Sequence, residues 1–280
     1  MTFFHRTVGE VHLNMGISGQ GPTAVLVHGS WDDHSAWDAV AAILSRSCRV
    51  VTYDRRGHGA SSVPDGQGRI SQDVADLDGV IAACSDGPVH LVGHSYGACV
   101  ALMYAAQHPH RLSSLTLHEP PLFGVLSQAP QHGALLRASR DAMARAAALI
   151  EAGECAQGAR VFAEEVALVD QTWEDAMDAR MRATWVANAA TWLDQSRDPE
   201  RLALSPELLV DSVLPVLLTN GTASPPAFEP GVARLAAATP CATRRTLAGA
   251  GHFPQLTHPD AFADVLCEFF RSTTPICPAP

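Results

Sequence analysis

Val89-His90-Leu91-Val92-Gly93-His94-Ser95-Tyr96-Gly97-Ala98-Cys99-Val100-Ala101 decides how this chain folds. Residues 89–92 are a short, mostly apolar run of strand length, and from residue 98 to 107 the composition becomes helix-forming. Between the two lies Gly93-x-Ser95-x-Gly97. A serine on so tight a strand-to-helix turn is forced into a strained backbone conformation, and glycines two residues to either side keep neighbouring backbone from colliding. Its hydroxyl then stands at the carboxyl end of a strand, with a helix N-terminus aimed at any anion that forms there. Ser95 is the candidate nucleophile.

Working outward, apolar runs at 24–27, 50–53, 115–117 and 216–219 are near-continuous, as strands covered on both faces require. Helical patterns at 35–47, 71–84, 95–108 and 259–271 alternate with them, which predicts an α/β fold with a mostly parallel central sheet and helices on both faces. Residues 8–18 alternate more strongly and predict an antiparallel edge hairpin. Beyond residue 122 the strand pattern gives way to Ala-, Arg- and Glu-rich sequence with helical periodicity, as at Leu136, Ser139, Met143, Ala146 and Ile150. The expected organisation is a core of residues 1–122 and 206–280 interrupted by a helical insertion at 123–205. The Pro-rich tail, 274–280, is expected to fray.

Composition narrows the function. Across 280 residues, 19 Lys and Arg face 29 Asp and Glu, the net charge is −10, and no basic cluster could neutralise several phosphates. Nucleic acid is not an expected partner. His5, Arg6, Glu10 and His12 interrupt the N-terminal apolar residues, so no secretory signal is expected, and no apolar run is long enough to span a bilayer. The seven cysteines are odd in number and include no CxxC pair, which speaks for free thiols in a reducing cytoplasm and against a disulfide framework or a zinc site. The expectation is a cytoplasmic protein that acts on a small molecule without cofactor or metal.

The elbow, the strand pattern and two further motifs resemble the α/β-hydrolase superfamily, and the resemblance covers nearly all of the chain except the insertion. His28-Gly29-Ser30-Trp31 follows the run at 24–27 and is similar to the superfamily's oxyanion loop. This implies that the amides of Ser30 and of Tyr96, the residue after the nucleophile, bind the developing oxyanion. Gly249-Ala250-Gly251-His252 precedes the last helix and matches the loop that carries the superfamily's base. His252, as a neutral imidazole, would take the Ser95 proton and return it to the leaving group. The turn Asp54-Arg55-Arg56-Gly57-His58-Gly59-Ala60-Ser61 resembles a structural one, in which Asp54 and Arg56 hold the loop. His94 is expected to pack beneath the elbow, and His34, His108, His110 and His258 to be structural or solvated.

The triad acid departs from the pattern. Most members carry an aspartate after the strand that corresponds to 216–219, in a Gly-x-x-Asp pattern, whereas this chain has Gly221-Thr222-Ala223-Ser224. Ser224 cannot hold an imidazolium by charge. Some members, among them lactonases of macrocyclic resorcylic lactones, place a glutamate at the end of the preceding strand, and that position here is Glu119, within His118-Glu119-Pro120-Pro121. Glu119 is the expected acid, with Asp211 and Glu229 as the alternatives.

The insertion resembles the helical cap that covers the active site in many members. Trp185 and Trp192 lie seven residues apart and would share one face of a helix, with Trp173 nearby. Together with Trp31, Leu122 and Phe123 they are the candidate walls of a pocket for a small, partly apolar substrate. Packing is the competing role for such an aromatic stripe. The implied activity is hydrolysis of a carboxylic ester or lactone through an acyl-enzyme. A carbon–carbon bond hydrolase or an acyl transferase would reuse the same groups, and a non-catalytic small-molecule receptor is what the missing aspartate favours.

Overall fold

In the computed structural model, strands β1 (Thr2–Val8), β2 (Val11–Ser18), β3 (Thr23–Val27), β4 (Arg49–Tyr53), β5 (Val89–His94), β6 (Leu112–His118), β7 (Val216–Gly221) and β8 (Ala242–Leu247) form one sheet. They lie in the order β1-β2-β4-β3-β5-β6-β7-β8, antiparallel at β1/β2 and β2/β4 and parallel elsewhere. The structure describes residues 1–273 apart from 64 and 129, so the tail at 274–280 lies outside the described residues. The edge hairpin is longer than its sequence pattern indicates. β1 is exposed along nearly all its length and so lacks buried alternation, yet it pairs with β2 from Thr2↔Ile17 to Val8↔Val11.

Parallel strands need crossover connections, and the crossover helices cover both faces of the sheet. Strand residues alternate between two cores: Val25 and Val27 of β3 join one, Ala24 and Leu26 the other. On the second face a 3₁₀ turn, His34–Trp37, runs into α1 (Asp38–Leu44), which together replace the single helix expected at 35–47. On the first face lie α2 (Ile70–Cys84) and α3 (Tyr96–Gln107).

No strand occurs between β6 and β7 among the described residues. That stretch holds α4 (Gly133–Glu151), α5 (Cys155–Phe162), α6 (Trp173–Ala176), α7 (Ala179–Ala187), α8 (Ala189–Arg197) and α9 (Pro199–Leu202). Their apolar faces form a third cluster, around Ala146, Ala159, Trp173, Trp185 and Trp192, into which the core inserts Trp31 and Phe253. Polar contacts fasten these helices to the core. The buried Asp198 carboxylate accepts the Ile70 N–H at 2.7 Å, and the Asn188 amide donates to the carbonyls of Trp31 and Asp32 at 2.8 and 3.0 Å. After β7, α10 (Glu229–Ala238) returns to the first face, and α11 (Pro254–Thr257) and α12 (Pro259–Thr273) follow β8, with α12 packed on the second. None of the described helices is long and apolar enough to cross a membrane.

Candidate active site

Ser95 sits between β5 and α3 at φ 53° and ψ −121°, a conformation that L-residues rarely adopt. The flanking glycines make it possible. A Cβ on Gly93 would lie 2.4 Å from the Gly97 carbonyl oxygen, and one on Gly97 would lie 2.4 Å from the Val27 carbonyl oxygen. The Ser95 N–H donates to the His118 carbonyl at 2.9 Å, which ties the elbow to the end of β6.

One residue beyond that carbonyl is Glu119, which is completely buried and also has positive φ, 44°. Its Oε2 lies 2.7 Å from His252 Nδ1, and its Oε1 accepts the Gly221 N–H at 3.0 Å. The base loop is held from below by His94, whose Nε2 donates to the His252 carbonyl at 2.8 Å. Phe228 stacks on the His252 ring with centroids 4.0 Å apart and lines the same cavity as Ser95. Burial pushes the His252 pKa well below the usual imidazole range, so the ring rests neutral and able to accept a proton. With Nδ1 turned to the carboxylate, Nε2 is the ring nitrogen left to take a proton. A serine hydroxyl on such an elbow and an imidazole paired with a buried carboxylate are the groups that nucleophilic acyl transfer uses.

The amides of Ser30 and Tyr96 are without a protein partner among the described residues, and Ser30 lines the Ser95 cavity. A buried network sets both in place. Arg55, 1% exposed, donates to the Gly29 carbonyl at 2.9 Å and to Asp73 at 3.1 Å. Asp73 in turn accepts the Tyr96 hydroxyl at 2.9 Å, and the Arg55 guanidinium lies 4.6 Å from the centre of the Tyr96 ring. Asp54 accepts from Asn14 and from the amides of His34 and Ala60, while Arg56 makes two 2.7 Å bonds to Asp76. The sequence singled out Asp54 and Arg56 in this turn. Arg55 is not marked by the sequence, because adjacent arginines in a turn give no sign of which one points inward.

The candidate pocket residues divide. Trp192 and Phe123 line the cavity at Ser95, and Leu122 lines a wider cavity outside it. The structure does not bring Trp31 and Trp185 to that cavity. They are 3% and 1% exposed, stack on each other at 5.3 Å and pack inside the helical cluster, where the Trp185 N–H reaches Asp32 at 3.1 Å. Trp185 and Trp192 also occupy two helices, α7 and α8, and not one, because the chain breaks at Asn188. Asp211 lies in a groove at the far end of β7, and Glu229 pairs with Arg244, so neither alternative acid reaches His252.

Residues 24–265 match the sequence model of the Alpha/beta hydrolase family. The chain belongs to that family. Part of it is 44% identical over 81 residues to "Probable oxidoreductase EphD" of Mycobacterium tuberculosis, covering 28% of this chain and 14% of that protein. Another part is 36% identical over 113 residues to 2-hydroxy-6-oxo-2,4-heptadienoate hydrolase of Pseudomonas putida, covering 39% of this chain and 41% of that one. The match therefore spans less than half the length of either relative. The enol-lactonase of Burkholderia xenovorans superposes with a TM-score of 0.76 at 22% identity over 95% of this chain and 99% of that one, which shows the shared α/β-hydrolase fold.

Within this α/β hydrolase, Ser224 stands in the β7 loop where the usual acid would be, and its hydroxyl is buried without a partner among the described residues. His118, Glu119 and His252 bring donor atoms within 4.8 Å of one another, as a metal site would. Both Glu119 oxygens are already engaged, however, and His118 Nδ1 is 3.0 Å from the Thr219 hydroxyl. Two side chains facing Ser95, Gln195 and Arg201, were not singled out in the sequence, since nothing local marks them.

Proposed function

We propose that this α/β hydrolase is a serine hydrolase that cleaves a carboxylic ester or lactone of a small, partly apolar molecule through an acyl-enzyme. The observation that carries the reading is the buried 2.7 Å contact between Glu119 and His252, which supplies a carboxylate where the sequence lacks the ordinary aspartate. Ser95 Oγ attacks the carbonyl as His252 takes its proton, and the amides of Ser30 and Tyr96 receive the oxyanion. His252 then protonates the departing alkoxide, and water, activated by the same imidazole, releases the acid.

A fluorophosphonate probe tests this reading: the wild type is expected to be labelled and to hydrolyse an activated ester, and Ser95→Ala to do neither while keeping its fold. Turnover at the wild-type rate in Ser95→Ala would overturn it. Carbon–carbon bond hydrolysis is the second reading, supported by the similarity to the heptadienoate hydrolase over 113 residues. Product analysis on an ester and a vinylogous diketone separates the two.

A further inference from the structure

Gln195 and Arg201 carry unpaired polar groups into the cavity at Ser95. Gln195, one turn beyond Trp192 on α8, is 5% exposed, and neither its amide nitrogen nor its oxygen has a partner among the described residues. The Arg201 Nε, on α9, is likewise buried without a partner, and no ion pair to Arg201 exists among the described residues. A buried donor left unpaired is destabilising, so polar groups of this kind in a cavity call for a partner, a water or a ligand. Both side chains line the small cavity that contains Ser95, and Arg201 also borders the outer cavity of about 540 Å³.

Charge points the same way. The chain is strongly acidic overall, at −10, yet Arg140, Arg197 and Arg201 line these two cavities and, among the described residues, no carboxylate does. Arg197 is held by Glu151, whereas Arg140 and Arg201 are not ion-paired among the described residues. Arg201 lies close enough to the start of α3 to oppose the upward push of burial on the Tyr96 and Cys99 pKa values. Cationic side chains in a cavity wall that is otherwise largely apolar concentrate anions there.

We infer that the substrate bears a carboxylate in addition to its scissile ester or lactone, and that Arg201 and Gln195 bind this carboxylate while Ser95 attacks the carbonyl. The inference rests on the hydrolase reading above. A planar guanidinium and an amide N–H that line one cavity can share the two oxygens of a carboxylate, and the Gln195 carbonyl stays available to a substrate hydroxyl or a bridging water. Hydrolysis breaks the acyl–oxygen bond, water supplying the hydroxyl of the new acid and the proton of the alcohol. When the carboxylate is on the acyl half, the product is a dicarboxylate.

The test compares the p-nitrophenyl monoester of glutaric acid with p-nitrophenyl valerate, and measures binding of unreactive glutarate by calorimetry. In the wild type, kcat/KM for the anionic ester should exceed that for the neutral one by about tenfold or more. That ratio should fall toward one in Arg201→Met, recover in part in Arg201→Lys and invert in Gln195→Glu. Glutarate affinity should drop about tenfold or more in Arg201→Met. A wild-type preference for the neutral ester, or equal glutarate binding by wild type and Arg201→Met, overturns the inference. If circular dichroism shows that Arg201→Met does not fold, the wild-type ratio and its decline with added salt decide the matter. Arg201-dependent glutarate binding without turnover of either ester would refute the hydrolase reading and leave the carboxylate site standing.

Discussion

Replacing Glu119 by glutamine changes one atom of a buried group and should nearly stop turnover. In the native site Oε1 accepts from Gly221 at 3.0 Å and Oε2 from His252 Nδ1 at 2.7 Å. Glutamine can keep its carbonyl on Gly221, which turns its NH₂ toward Nδ1. The imidazole must then accept at Nδ1 and hold its proton on Nε2, the atom that has to take the serine proton. The imidazolium formed during attack also loses its counter-charge, in a place where Glu119 is 0% and His252 4% exposed. The same change in the serine-protease triad costs about 10⁴ in kcat through the wrong tautomer. We expect about 10³ to 10⁴ here, or about 4–5.5 kcal/mol at about 1.36 kcal/mol per decade. The side chain keeps its shape and one hydrogen bond, so KM and melting temperature should move little. The assay is kcat and KM on one activated ester beside a thermal melt. A folded variant within about tenfold of wild type would refute the role given to Glu119. Adding Ser224→Asp should restore part of the rate. The Ser224 hydroxyl is buried without a partner among the described residues and lies 2.9 Å from where a Gly221 Cβ would be, beside the loop that carries His252.

Burial lowers the His252 pKa, so the base becomes protonated only at a pH below the ordinary imidazole value of about 6.5; a kcat/KM acid limb at or above pH 7 would contradict this. Arg55→Met leaves the buried Asp73 carboxylate without a counter-charge and frees the Gly29 carbonyl, and should cost about 3–5 kcal/mol in denaturant titration. A loss below about 1 kcal/mol would contradict that. Burial raises the Asp32 pKa from 3.8 to about 7, so its stabilising contribution is complete below about 3.8 and is lost as pH rises through about 7. Asp32→Asn, which can still accept from Trp185, should therefore be more stable than wild type at pH 8 and flatten the fall in melting temperature between those values; lower stability at pH 8 would count against it. Trp185→Ala should cost about 3–5 kcal/mol and slow all esters alike, whereas Trp192→Ala should shift selectivity between bulky and small esters; the reverse pattern in melts and a substrate panel would overturn the assignment of Trp185 to packing.

Which features were legible in the sequence follows from how local their causes are. Val25 to Val27 and Val216 to Leu218 read as strands because burial on both faces demands an unbroken apolar run. β1 did not, since an exposed edge imposes no such demand and its existence depends on pairing with β2. The Ser95 elbow was legible because the collisions that require Gly93 and Gly97 arise within a few residues. The spacing of Trp185 and Trp192 suggested one helix, and what divides it is distant: the Asn188 amide is drawn to the Trp31 and Asp32 carbonyls. Gln195 and Arg201 share a cavity with Ser95 from segments about a hundred residues away, which no local periodicity encodes.

The position of Glu119 suits a glutamate to the role proposed for it. Ser95 and Glu119 each follow a residue of the paired set His94↔His118, at the ends of neighbouring parallel strands. Each has positive φ, 53° and 44°, and each sends its N–H across to the next strand, to His118 at 2.9 Å and to Thr219 at 3.3 Å. Two non-glycine residues in such conformations cost about 1–3 kcal/mol apiece and persist where surrounding contacts over-determine them. His252 follows β8, however, and β7 lies between β6 and β8. With strands about 4.8 Å apart, an acid on β6 has to reach past the end of β7 to meet the imidazole. Glu119 does so by resting one oxygen on the Gly221 N–H, at the last residue of β7, and presenting the other to His252. The extra methylene of glutamate supplies the reach, and the Gly221 amide fixes the carboxylate's direction. The acid can thus leave β7 without disturbing the loop that carries the base, provided that the end of β7 keeps its N–H free to receive it.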